Sequence, residues 1–261
     1  MRDRGLDLAI SAVGSITELA RRLGISQPSV SNWSRVPAER VLQVESISGV
    51  DRSVLRPDLY GGEAGSEEGG LDEVDVARAR EYAMLAALLI RAPDADFLKQ
   101  IASLTGDETP FGLAHRALAE AAARMTAAEV EDEYFNLFIG IGRGELLPYA
   151  SFYLTGFLQE RPLAELRADL DRLGIAPSKG NVEPEDHAAI LCEIMAGLIN
   201  GRFPALAGSD REMFEKHLRP WIGRLFGELE QAKGAVFYRP VGTIGQLFMQ
   251  IEREAFAMQA G

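Results

Sequence analysis

Residues 61–75 read GGEAGSEEGGLDEVD, with five glycines in the first ten positions, several acids and no apolar periodicity. Such a stretch offers no face to bury, so residues 61–71 are expected to form a flexible, extended linker. A hydrophobic core cannot run through it. The chain is therefore expected to fold as a small domain of residues 1–60 and a large one of residues 72–261, each with its own core. With 261 residues and 47% hydrophobic content there is enough apolar material for both.

The small domain has helical spacing throughout. Leu6, Ala9, Ile10 and Val13 share one face, and Gly14 ends that helix. Ser15 and Glu18 form the pattern S-x-x-E of a capping box, opening a second helix that carries Ile16, Leu19, Ala20 and Leu23 and breaks at Gly24. Ser26 is a suitable N-cap for a third helix with Pro28 in its first turn and Val30 and Trp33 facing inward. Two helices joined this way have the spacing of a helix-turn-helix. The third would present Gln27, Ser29, Ser31, Asn32 and Arg35 outward, and short amides and hydroxyls read base edges in a major groove. The plain alternative is the solvated face of a small bundle.

Charge must be counted by segment. The net charge is −12, yet residues 1–60 hold eight arginines against seven acids, so the excess acid belongs to the rest of the chain. A surplus of one is a modest footprint for a DNA binder. The wordings ITELARRLGISQPSVSNW, VPAERV and LRPDLY, in that order, resemble the YdaS-like, Cro-type group of phage-repressor proteins. That resemblance implies DNA binding through residues 1–60 and a homodimer on paired half-sites.

The large domain also reads as helical, and no stretch alternates with period two for long enough to suggest a sheet. The predicted fold class is all-α: a helix-turn-helix, a linker and an irregular bundle of about ten helices. Pro93 stops a long first helix, and Thr126 with Glu129 makes a second capping box before Val130, Tyr134, Leu137 and Phe138. A helix is expected over 184–199, with Pro184 in its first turn and His187 opening its apolar stripe. The glycines of GIGRG, at 140, 142 and 144, lack the strand and the Lys-Ser/Thr of a phosphate loop, so they are read as a turn with Arg143 and Glu145 exposed.

Three wordings in order, EYFNLF, LPYASFYL and EPEDH, resemble the TorD/DmsD/NarJ family of redox-enzyme maturation chaperones, over about residues 72–258. Where relatives often carry a proline in this glycine turn, the chain has Ile141. The resemblance implies a TorD-like helical domain that binds the twin-arginine signal peptide of a molybdoenzyme catalytic subunit and assists cofactor insertion before export. The wording GIGRGELLPYASFYLTGFL is closest to members associated with formate dehydrogenase. It further implies that Glu183, Pro184, Asp186 and His187 of the EPEDH motif, with Tyr149, Ser151 and Tyr153, face the peptide. A doubly basic leader with an apolar tail needs carboxylates beside an oily groove, which Glu133, Glu183 and Asp186 could supply with Tyr134, Phe138, Tyr149, Phe152 and Tyr153. The plain alternative for the aromatics is ordinary core, and for the acids an ordinary helix start.

No catalytic constellation is legible. His115, His187 and His217 have no second ligand at helical spacing, so neither a metal site nor a cofactor is read, and no enzyme is expected. Cys192 lies in the apolar run AAILCEIMAGLI with no partner, as in an inert core thiol of a reducing compartment. No apolar run approaches the roughly 18 residues of a membrane span, and Arg21-Arg22 falls within an amphipathic helix, so a cytoplasmic, unexported protein is expected. The client, the DNA site, domain swapping, and any guanine nucleotide or pterin stay open, as does a transcription regulator whose large domain senses the client.

Overall fold

The computed structural model describes residues 3–50, 52–56, 72–176, 183–203, 206 and 208–258, and the expected linker at 61–71 lies outside them. The chain divides into two compact units, residues 1–70 and 71–261. Among the described residues every regular element is a helix.

In the first unit, α1 (Arg4–Val13) is capped by Asp3, whose carboxylate accepts from Gly5 N. Helix α2 (Ile16–Leu23) starts at Ser15 and stops at Gly24, which takes a left-handed φ of 68°. The capping box expected here is half made. Ser15 accepts from Glu18 N, but the Glu18 carboxylate turns the other way and holds both Arg21 and Arg22, at 2.5 and 2.9 Å. Helix α3 (Gln27–Ser31) stops before Asn32, Trp33 and Arg35, all expected on the base-reading helix, because Asn32 is already its C-cap. A 3₁₀ turn (Ala38–Arg40), α4 (Val41–Ser48) and α5 (Arg52–Leu55) complete the unit. Leu6, Leu19, Val30, Val41, Val44 and Leu55 are fully buried together, with Trp33 packed against them.

The second unit holds α6 (Glu73–Ile90), α7 (Ala95–Ala102), α8 (Pro110–Arg124), α9 (Ala127–Tyr134), α10 (Ala150–Thr155), α11 (Arg161–Arg172), α12 (Ala188–Ile199), α13 (Ser209–Met213), α14 (Ile222–Gln231) and α15 (Tyr238–Met258). The capping box at Thr126 and Glu129 is complete. Helices α9 and α13 each run on into a single π-helical turn, Phe135–Ile139 and Phe214–Leu218. Such turns arise where packing overrides regular i→i−4 bonding.

Helix α12 lies along α6, and α14 along α15. Contact in the second pair depends on glycine: a Cβ on Gly245 would stand 2.2 Å from the Phe226 ring. Behind α6, Arg78 grips Glu252 with two bonds of 2.6 and 2.8 Å, and the Tyr82 hydroxyl donates to the same carboxylate at 3.1 Å. Glu252 is fully buried, so its charge is tolerated only because these donors surround it.

Candidate functional site

The EPEDH loop is not a helix start. Helix α12 begins only at Ala188, with His187 as its N-cap. Its first amides are satisfied elsewhere: Ala188 N donates to Pro148 O at 2.8 Å, and Ala189 N to His187 Nδ1 at 3.1 Å. Ala150 N in turn donates to Asp186 O at 3.0 Å, and Ser151 N to Asp186 Oδ2 at 2.9 Å. Two loops distant in sequence are thus laced edge to edge, which moves the helix boundary expected at Pro184 four residues on.

Side chains continue the lacing. The Tyr149 hydroxyl donates to Glu183 Oε2 at 2.5 Å, and its ring meets the His187 ring edge-on at 5.0 Å. Burial and the neighbouring Glu183 carboxylate push the Tyr149 hydroxyl well above its ordinary range and lift Tyr134 to about 12. Burial holds His187 down to about 4 against the pull of Glu183 and Asp186. With Nδ1 accepting from Ala189, the neutral ring carries its proton on Nε2. Asp186 is 1% exposed, and its Oδ1 meets no donor.

Two troughs, of about 580 and 610 Å³, share Ile190, Glu193 and Arg202 in their linings, and the second is edged by this loop. The first lies toward α6 and α7, with Ala83, Ile90, Asp94 and Phe97. The second lies toward α11, with Arg167, Leu170, Ile175, Glu183, Ile194 and Phe203. Alanines, isoleucines, Leu170, Phe97 and Phe203 supply the apolar part of the two linings. The rim carboxylates already have partners: Glu185 pairs with Arg167 at 2.7 Å, and Glu193 with Arg202 at 3.4 Å.

Glu183 and Pro184 line the second trough; Asp186 and His187 are buried and do not line it, Asp186 bordering instead a separate cavity of about 290 Å³ with Leu166 and His217. Glu133 does not reach it. Its carboxylate is buried and accepts from the backbone amides of Val236, Phe237 and Tyr238 at 2.8–3.1 Å, capping the start of α15. The sequence shows only an acid beside aromatics, because the partners of Glu133 lie about a hundred residues away. Tyr134 and Phe138 pack with Tyr238 in the core, Tyr134 donating to Leu89 O. Ser151 is buried and accepts from Gln159 N. Tyr153 donates to Glu228 and packs on Trp221 and under Arg224, while Phe152 lies beneath Arg143. The sequence does not single out the trough residues Ile190, Glu193 and Ile194, because a helix as apolar all round as α12 gives no sign of which side stays open, nor Phe97 and Phe203, which join them from other segments. Among the described residues no group of three metal-ligating side chains occurs, and no helix is long and apolar enough to cross a membrane.

In the first unit Gln27, Ser29, Asn32 and Arg35 are exposed and Ser31 is half-buried. Gln27 Nε2 donates to Ser31 Oγ at 2.7 Å, and Ser29 Oγ lies 2.7 Å from Ser26 Oγ. The face is open, with some of its groups already engaged.

The family described as Nitrate reductase delta subunit matches residues 105–227, and that described as Bacterial toxin YdaS matches residues 6–64. Similar proteins named Chaperone protein TorD occur in Aliivibrio fischeri (29% identical over 136 residues, 48% of this chain and 62% of that one) and Vibrio cholerae (24% over 134, 48% and 61%). Another, from Ferrimonas balearica, is 30% identical over 145 residues, 49% of this chain and 67% of that one. The chain spans about three fifths of the length of the first two. A solved Archaeoglobus fulgidus structure, named for redox enzyme maturation, gives a TM-score of 0.47 at 17% identity, over 72% of this chain and 99% of that one.

Proposed function

Because the chain belongs to the TorD family of redox-enzyme maturation chaperones, we propose that its second unit holds the twin-arginine signal peptide of a molybdoenzyme in the trough along α12. The supporting observation is a pair of partly apolar troughs that share lining residues on one helix, edged by Glu183, Glu185 and Glu193. An apolar peptide segment gains affinity by covering the part-exposed Ile90, Phe97 and Phe203, while its two guanidinium groups find carboxylates at the rim. Asp186, His187, Tyr149 and Ser151 shape the rim instead of touching the guest; Tyr134, Phe138, Tyr153 and Glu133 hold the bundle behind it. Holding the leader in the cytoplasm delays export while cofactor is inserted, and formate dehydrogenase is the proposed client. To test this, the full chain is titrated with a synthetic twin-arginine leader. Ala83→Trp and Ala176→Trp, exposed positions that line the troughs, should fill them and weaken binding without loss of folding. Unchanged affinity in both variants would overturn the placement.

A second reading is favoured by the exposed Gln27, Ser29, Asn32 and Arg35 on a unit with its own core. We propose that residues 1–60 bind DNA as a homodimer, making the chain a regulator that senses its client. Absence of any retardation of DNA from the protein's own locus would sink that reading.

A further inference from the structure

The trough is nearly neutral as folded, although it is proposed to take a doubly basic guest. Asp94, Glu183, Glu185 and Glu193 are offset by Arg91, Arg167 and Arg202. Two of those arginines sit on the rim carboxylates, and the two pairs differ. Arg167 clasps Glu185 with Nε and Nη2 at 2.9 and 2.7 Å. Arg202 reaches Glu193 only through Nη2, at 3.2 Å to its carbonyl and 3.4 Å to Oε1. Both partners of this looser pair are at least half exposed, where an ion pair contributes little.

Backbone geometry nevertheless places Arg202 deliberately. After α12 the chain turns at Gly201, with φ 71°, and folds back so that Phe203 N donates to Gly197 O at 3.3 Å. Arg202 N is held by Asn200 Oδ1 at 3.0 Å, and the guanidinium lies 5.0 Å above the Phe203 ring. Gly197 makes the room: a Cβ there would stand 2.3 Å from the Phe203 ring and 3.0 Å from Arg202 Nη2. A guanidinium thus rests on an aromatic face and a carboxylate at the point shared by both troughs.

Resting on the peptide reading above, we infer that Arg202 is an internal stand-in for a guest arginine: it pairs with Glu193 and is displaced when the leader binds. Glu193 is then the carboxylate that a leader guanidinium takes over. Of the two arginines that cover rim acids, Arg202 yields first, because its contacts are longer and single-handed. The stand-in disfavours basic segments that cannot also cover the apolar lining.

The test is a double-mutant cycle on the full chain, reading anisotropy of a labelled twin-arginine leader with wild type, Arg202→Gln, Glu193→Gln and the double variant. Arg202→Gln should bind roughly two- to fivefold more tightly, the range equivalent to a weak exposed ion pair. Glu193→Gln should bind more weakly, and Arg202→Gln should bring no gain in that background. Thermal melts confirm that each variant is folded. If wild type binds and Arg202→Gln binds equally or more weakly, the stand-in is overturned and the peptide reading survives. If no variant binds the leader, the peptide reading falls and the stand-in with it.

Discussion

Tyr149 donates its hydroxyl to Glu183 at 2.5 Å, joining the end of one loop to the start of another 34 residues on. With the amide bonds from Ala150, Ser151 and Ala188, it makes the rim of the trough a product of two segments that neither could form alone. Tyr149→Phe removes a bond to a charged acceptor and should cost about 1–2 kcal/mol, read as a lower urea midpoint. Leader affinity should fall with it, because Glu183 loses its fixed position.

Asp186 is expected to separate scaffold from contact. Asp186→Ala leaves the Ser151 amide without its acceptor in a buried place and should cost about 1–3 kcal/mol. Asp186→Asn keeps an oxygen for that amide and should cost less than Asp186→Ala, the remaining loss coming from an NH2 placed where Oδ1 meets no partner. Urea unfolding of the two variants decides it. Leader binding that follows stability in both would confirm a supporting role.

His187 imposes a pH dependence. Its folded value of about 4 lies below the ordinary 6.5, so the unfolded chain takes up a proton that the folded chain refuses. Stability should therefore fall as pH drops from 6.5 toward 4, by up to about 3 kcal/mol, and be unaffected by this group above that window. His187→Asn keeps a side-chain cap and removes the titration. Its urea midpoint should lose less on acidification than that of the wild type.

Glu133 should behave as a keystone of α15. Glu133→Ala strands three amides at the helix start and should cost on the order of 3–5 kcal/mol, whereas Glu133→Gln, retaining one oxygen, should cost less. Equal stability of Glu133→Ala and wild type would contradict this.

In the first unit, Gln27→Ala and Asn32→Ala should weaken binding to the DNA site by about 1–3 kcal/mol each with little change in melting temperature. Retardation assays at fixed salt measure it.

What could be read from residue order alone follows the range of the interactions. Helices, their glycine stops and the Thr126–Glu129 cap depend on neighbours within four residues, and the all-α class followed from them. At Glu18 even a local motif was diverted, because Arg21 and Arg22 lie on the same helix face and compete for the carboxylate. The place of Glu133 and the start of α12 are not legible in the sequence, because their partners lie 103 and 40 residues away. The trough itself is assembled from α6, α7, α11, α12 and the turn after α12, so no single stretch announces it.

The most direct measurement is photo-cross-linking of the full chain with a twin-arginine leader carrying a photoreactive residue beside its second arginine, followed by mapping of the adducts. Adducts at Ile190, Glu193 and the Arg202–Phe203 turn are expected. Adducts confined to other surfaces, or none at saturating peptide, would contradict the trough along α12 as the binding site.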